Sequence, residues 1–387
     1  MSLIHNLDDF LIQEVIPLEK LLLESDYDPL SVEINRVRKE AKTAGFWNFP
    51  LSDEYGGKHL SLNDFAPVSE VLGKSPLGHL VCNVQAPDIG NMELLLHAAT
   101  PQQKEEFLVP LASGEIRSCF GMTEPGNAGS NPVLMSTVAE KVDGGWILNG
   151  HKWFTTGADG ASFCIVMAIT HPDAPLHKRA GMFIVPTDTD GFSLLRNIPI
   201  MGDAGAGYFS HGEVLLQNCF IPDAYCLGKP GEGFKLAQMR LGPGRIHHCM
   251  RWIGIAERVM EMMCKRALSR RITQDKHLAG LDITRLKIAE NRAHIDACRA
   301  LVERVTEQIS SGDDARKGIS TIKFFAADML MKVIDDAIQV HGGLGVTDDT
   351  LLSFWYRHER GARIYDGPDE VHKLVVAKEE LKKYQQS

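Results

Sequence analysis

The residue best placed to do chemistry is Asp366, in the stretch ARIYDGPDEVHK at residues 362–373. Gly367 and Pro368 read as the opening of a C-terminal helix, with Pro at its first position and Asp369 and Glu370 in its first turn. On that reading Asp366 is a charge favoured near the helix's positive end. The other reading makes Asp366 a general base, and its support must come from elsewhere in the chain. A second cluster, Arg245-Ile246-His247-His248-Cys249, invites a metal reading. Adjacent histidines on a helix point in different directions and no carboxylate is spaced to join them, so no metal is expected. Cysteines at 82, 119, 164, 219, 226, 249, 264 and 298 form no CxxC pair and read as reduced, mostly buried thiols of a cytoplasmic protein.

Three stretches of different texture must position these residues. From about 5 to 112 apolar residues recur every three or four positions, broken by the loop NFPLSDEYGGKHLS, which predicts a helical domain over 1–116. Short β-rich runs follow. STVAEKV and WILNGHKWFTT flank Asp143-Gly144-Gly145, a hairpin signal, and ASFCIVMAIT, AGMFIVPT and GEVLLQNCFIP are further strand candidates, giving a β-domain over 117–228. Helical spacing returns over 229–387. Ile288, Ile295, Val302 and Ile309 repeat every seven residues with Cys298 and Val305 between them, and Ile319, Ile322, Ala326, Met329 and Val333 keep a 3-4 rhythm. These stripes predict an antiparallel four-helix bundle, with Gly342-Gly343 closing one helix as a C-cap.

At 387 residues and 44% apolar content the chain can bury a large core. Its formal charge of −9, with acids and bases mixed throughout, argues against nucleic-acid binding. The longest apolar run, near FCIVMAI, is too short to span a bilayer, and the opening MSLIHNLDDFLIQEV resembles neither a signal nor a transit peptide. A small-molecule partner is expected.

The segment CFGMTEPGNAGSNPVLMSTVAEKVDGGWILNGHKWFTTGADG makes the reading specific. It resembles the flavin-binding β-domain of the acyl-CoA dehydrogenase family, with its Thr-Glu-Pro-Gly…Gly-Ser stretch and its later Asn-Gly-x-Lys-aromatic stretch. The resemblance runs from about residue 30 to 385 and includes GEGFKLAQMRLGPGR, QVHGGLG and IYDGPDEV in the family's order. It implies an α+β fold of N-terminal helical domain, middle β-domain and C-terminal antiparallel helix bundle, with FAD as cofactor.

By match to the family, Phe120, Met122 and Thr123 line the pyrimidine side of the flavin. Ser130 meets the phosphate or substrate edge, and Phe154 with Thr156 covers the other face. Because Trp153 precedes Phe154, a shift by one residue would bring in Thr155 instead of Thr156. Flat apolar walls with few hydrogen-bonding groups suit an isoalloxazine ring. The adenine half is matched by Gln339, Gly342 and Gly343, and by Arg270 or, with one gap, Arg271.

The family's α-proton base is a Glu at the position of Asp366, and a subset carries Asp-Gly-Pro-Asp-Glu-Val-His there. The resemblance implies that Asp366 takes the α-proton of an acyl-CoA thioester while hydride leaves to flavin N5, a backbone N–H of the base residue helping to hold the thioester oxygen. Arg245, Tyr365 and Gly367 then face the substrate. Some relatives place the base at the position of Gly244, which has no side chain to accept a proton. An electron-transfer flavoprotein is the implied acceptor, and a homodimer or homotetramer the implied assembly. A flavin oxidase like the nitroalkane oxidases and a catalytically silent acyl-CoA-binding protein are the alternatives.

Overall fold

The structure, a computed structural model, describes residues 2–24 and 27–385; Met1 and residues 386–387, at the ends of the expected first and third domains, lie outside the described residues. Numbering helices of eight or more residues, the order is α1 (Leu3–Phe10), α2 (Tyr27–Thr43), α3 (Leu62–Gly73) and α4 (Asp88–Ala98). Seven strands follow: β1 (Ser118–Gly121), β2 (Val138–Val142), β3 (Gly145–Thr156), β4 (Phe163–Ile169), β5 (Ala180–Pro186), β6 (Phe192–Asn197) and β7 (His211–Pro222). The chain then returns to helices α5 (Gly233–Ser269), α6 (Asp282–Ser310), α7 (Arg316–His341), α8 (Leu351–Glu359) and α9 (Asp369–Gln385). The expected order of helices, sheet and helices is the order observed. Two compact units divide the chain: one comprises Met1–Pro50, Lys58–Cys82 and Arg245–Ser387, the other Leu51–Gly57 and Asn83–Gly244.

In the first unit the predicted stripes face inward at their centres, with Ile295, Cys298, Val302 and Val305 of α6 and Ile322, Ala326, Met329 and Val333 of α7 all buried. α6 packs along α7, and α7 in turn along α9. Burial of each such aliphatic side chain contributes roughly 1.5–3 kcal/mol, so a continuous stripe decides which face of each helix turns inward. α3 and α5 meet backbone to backbone: a Cβ on Gly254 would lie 2.0 Å from the Glu70 carbonyl oxygen, and one on Gly73 2.4 Å from that of Arg251. Both positions therefore require glycine. α9 begins at Asp369, one residue later than expected. Gly367, at φ 101°, lies outside any helix, and Pro368 donates no N–H but offers its carbonyl to the Val371 amide at 3.0 Å.

The second unit is built on a seven-stranded sheet of order β1-β4-β2-β3-β7-β6, with β5 paired to β4. The hairpin predicted around Asp143-Gly144 joins β2 and β3, with Gly144 at φ 73°. Between Lys152↔Val214 and Thr155↔Gly212 the β3–β7 register slips by one residue, so Trp153 and Phe154 together oppose Glu213. Such a bulge bends a strand and re-aims its side chains. A buried core of Cys119, Leu148, Val166, Phe183, Val214 and Ile221, among others, backs the sheet.

Candidate active site

In the first unit, four of the predicted residues come together. Asp366 is held at φ 54°, a left-handed conformation that costs a non-glycine residue about 1 kcal/mol or more. Its carbonyl oxygen accepts from Arg245 Nε at 2.9 Å and from His372 Nε2 at 3.1 Å. Lys323 Nζ donates to the carbonyls of Ala362 at 2.6 Å and Gly367 at 2.8 Å. The main chain around Asp366 is thus gripped from α5, α7 and α9, which explains how the strained conformation persists. Its carboxylate, by contrast, meets a side chain: His248 Nε2 stands 3.4 Å from Oδ2.

His248 stacks on Trp252 at 5.6 Å and 17°, with the Tyr365 ring 4.9 Å away. Behind them Glu359 accepts from Arg251 Nη2 at 2.9 Å and from Trp252 Nε1 at 3.0 Å, and Arg251 Nη2 donates to the Tyr365 hydroxyl at 3.3 Å. Burial pushes the His248 imidazole well below its ordinary range, and the Arg251 charge adds to that. Burial likewise lowers the His372 imidazole to about 4 despite its bond to the Asp366 carbonyl, and lowers the Lys323 ammonium to about 8 against the pull of Asp366 and Asp369. Desolvation lowers Arg245 also, with the Asp366 charge opposing it. His247, adjacent in sequence, turns instead to the Phe65 ring at 5.4 Å.

In the second unit, Phe120, Met122, Thr123, Phe154 and Thr156 fall on β1, β3 and the loop after β1. Thr123 Oγ1 donates to the Trp153 carbonyl at 2.7 Å, and the Trp153 amide returns a bond to the Thr123 carbonyl at 3.1 Å. This double link holds the bulge, where Phe154 sits at φ 50° with 45% of its surface exposed. Trp153 and Phe154 have their ring centres 4.8 Å apart. Thr156 Oγ1 pairs with His211 Nδ1 at 2.9 Å, while the buried Thr155 Oγ1 has no partner among the described residues. Ser130 is exposed on the loop beyond Gly129, and a small recess there is lined by Met122, Thr123, Gly129, Leu134 and Met135.

Three contacts here escaped sequence reasoning. Lys152 Nζ bonds Glu124 Oε1 at 2.8 Å with both side chains enclosed, and Glu124 also accepts from the Ser136 and Thr137 amides. Arg240 lies 4.1 Å over the Phe120 ring and donates Nε to Asn91 Oδ1 at 2.8 Å. The third is the His248–Asp366 approach. Lys152, Glu124 and Arg240 stand in the quoted motifs and His248 in the His-His cluster, but nothing local marks the partners of Arg240 or His248.

The remaining predicted residues sit at one end of two first-unit helices. Arg266 Nη2 donates to the His341 carbonyl at 3.5 Å, bringing the last turn of α5 against that of α7. Arg270 and Arg271 lie just beyond α5, and Gln339, Gly342 and Gly343 close α7; all five are exposed. Gly342 takes φ 65°, and a Cβ on Gly342 or Gly343 would meet nothing within 4 Å.

Comparison with known proteins bears directly on this arrangement. Profiles described as the N-terminal, middle and C-terminal domains of acyl-CoA dehydrogenase match residues 2–115, 119–219 and 231–381. The chain belongs to the acyl-CoA dehydrogenase family. Members are FAD-binding flavoproteins and oxidoreductases acting on acyl-CoA. A probable acyl-CoA dehydrogenase of Mycobacterium tuberculosis, FadE2, is 40% identical over 90% of this chain and 85% of its own length. Mouse acyl-CoA dehydrogenase family member 10 is 38% identical over 98% of this chain, which spans only 37% of that protein. A solved Mycobacterium abscessus structure assigned as an acyl-CoA dehydrogenase superposes with a TM-score of 0.93 at 38% identity, covering 98% of this chain and 97% of its own.

The residues present fit the family's FAD. A half-exposed aromatic ring beside a buried, unpartnered hydroxyl suits a flat ring with polar edges, and two open glycines at a helix end allow close backbone approach. Among the described residues no helix is long and apolar enough to cross a membrane.

Proposed function

We propose that this acyl-CoA dehydrogenase family member catalyses α,β-dehydrogenation of an acyl-CoA thioester to the trans-2-enoyl-CoA, with Asp366 as the base. The observation that carries the reading is the Asp366 backbone, kept in a costly conformation by Arg245 and His372 on its own carbonyl and Lys323 on the next. Strain of this kind is stored where geometry matters to function.

The α-proton of a thioester is weakly acidic, so the base must be close and the developing enolate oxygen must be stabilised. Asp366 supplies both, its carboxylate taking the α-proton and its amide donating to the thioester oxygen. Tyr365 and Gly367 flank it toward the substrate, and Arg245 fixes its main chain. An acyl chain that displaces water strengthens a carboxylate as a base. When bound, FAD would supply the hydride acceptor for the β-hydrogen. Phe120, Met122, Thr123, Ser130, Phe154 and Thr156 hold the flavin half of the cofactor, and Arg270, Gln339, Gly342 and Gly343 its adenine half. The exposure of this last group fits a ligand shared with a second copy in a homodimer or homotetramer.

We assign the three domains to 1–116, 117–228 and 229–387, electron transfer to an electron-transfer flavoprotein, and residence to the cytoplasm, where eight free cysteines would stay reduced. The test is anaerobic titration of the yellow protein with a panel of acyl-CoAs. Bleaching of the flavin absorbance with formation of enoyl-CoA is expected; an unchanged spectrum across straight, branched and substituted chains would overturn the proposal.

A further inference from the structure

Every hydrogen bond that the structure draws to the Asp366 backbone comes from a different element, yet none of those donors reaches the carboxylate. Arg245 and His372 bond the Asp366 carbonyl, and Lys323 bonds the next carbonyl along. Among the described residues the side chain within ion-pair reach of the carboxylate is His248, at 3.4 Å from Oδ2. We propose that His248 is the positioning residue for Asp366: as a neutral imidazole it offers its Nε2–H to Oδ2 and leaves Oδ1 to take the proton. The inference rests on the reading of Asp366 as the base.

The ring is built to hold one orientation. Trp252 stacks on it nearly parallel and Tyr365 packs at an angle, and both are fixed in turn through Glu359 and Arg251. A plane so confined presents Nε2 in one direction. Glu359, the other nearby carboxylate, is occupied by the Arg251 guanidinium and the Trp252 indole. Burial keeps the imidazole neutral, so it donates one hydrogen bond without adding a charge that would hold Asp366 ionised. A separation of 3.4 Å is long for a finished bond, and such contacts tighten when substrate excludes water.

His248→Phe keeps a flat ring between Trp252 and Tyr365 but has no N–H; His248→Gln keeps an N–H donor but no ring. Each is loaded with FAD, matched for flavin content and elution volume, and mixed anaerobically with an acyl-CoA that bleaches the wild-type flavin. His248→Leu replaces the Phe variant if that variant does not load. The limiting bleaching rate is measured from pH 5 to 9 with normal and α-dideuterated substrate. Groups facing the pair are His79, Arg245, His247, Cys249, Arg251, Lys323, Glu359, Tyr365 and His372. Of these, burial lowers His372 to about 4 and Lys323 to about 8.

The Phe variant is expected to lose about 10- to 100-fold in limiting rate, as for a misoriented catalytic group. Its apparent Kd for acyl-CoA should stay unchanged, its deuterium effect should rise, and its acid limb should move to higher pH because the carboxylate has lost a donor. The Gln variant should recover most of the rate. A Phe variant that bleaches at the wild-type rate with an unmoved acid limb, or a Gln variant slower than Phe, would show that the ring only packs. Asp366→Asn is run beside them. If it bleaches normally, the base assignment falls and this inference with it; if it is inert while the Phe variant is normal, only the role of His248 falls.

Discussion

Lys152 and Glu124 form an enclosed ion pair, Nζ to Oε1 2.8 Å, with side chains 0% and 5% exposed. It ties the loop after β1 to β3 one residue ahead of the Trp153–Phe154 bulge. Burial alone would raise the Glu124 carboxyl, but the Lys152 charge and hydrogen bonds from Lys152, Thr137 and Ser136 outweigh it and hold the group at about 2.

Removing one partner strands the other as a buried charge. Lys152→Met should cost about 3–5 kcal/mol, and the double variant Lys152→Met, Glu124→Gln should recover part of it. Denaturant midpoints of the three proteins are the readout. The depressed Glu124 carboxyl contributes stability above the unfolded value of 4.5 that is lost as pH falls toward 2, so the wild-type advantage over the double variant should shrink across that window.

Glu19 has the opposite sign. Burial raises its carboxyl to about 7 against the opposing pull of Ser75 and Arg258, and its Oε1 has no partner among the described residues. The stability of the protonated form is complete below the unfolded value of 4.5 and is lost as pH rises through about 7. Glu19→Gln should therefore gain on the wild type by up to about 3 kcal/mol between pH 4.5 and 8. A pH-independent difference in chemical denaturation would refute this.

Gly367 combines φ 101° with a position where a Cβ would stand 2.8 Å from His372 Nε2. Gly367→Ala should cost roughly 1–3 kcal/mol of backbone strain and displace the His372 bond to Asp366. A thermal midpoint equal to the wild type's would contradict it.

Asp366→Ala should keep its FAD yet bleach with acyl-CoA at least about 100-fold more slowly, the lower range for loss of a general base. Near-normal bleaching would remove Asp366 from the reaction.

Gln339→Ala lies at an exposed helix end and should leave the fold intact while weakening cofactor retention through gel filtration. Unchanged FAD occupancy would count against the adenine-side assignment.

Much of the fold was readable because its signals are periodic. The seven-residue spacing through Ile295 and Val302 and the Asp143-Gly144 turn each report a local geometry that the chain adopts. β6 went unread because its Leu194 and Leu195 are both exposed, so no alternation marks it. The bulge at Trp153–Phe154 was hidden for a related reason: phenylalanine is a poor left-handed residue, and only the pairing with β7 and the grip of Thr123 impose it. The Gly-Pro after Asp366 flagged that position locally. His248 was flagged only as half of a His-His pair unsuited to a metal, since its relation to Asp366 exists only once α5 and the loop before α9 are folded together.

The bare contact between Gly254 and the Glu70 carbonyl works as a detent on α5. Adding one residue between His248 and Gly254 would swing the upstream half of that helix by about 100° and advance it by about 1.5 Å, carrying the imidazole off its target while every side chain stayed the same. The length of that interval is therefore as much a part of the site as the residues at its ends, and an insertion there should be more damaging than most substitutions nearby.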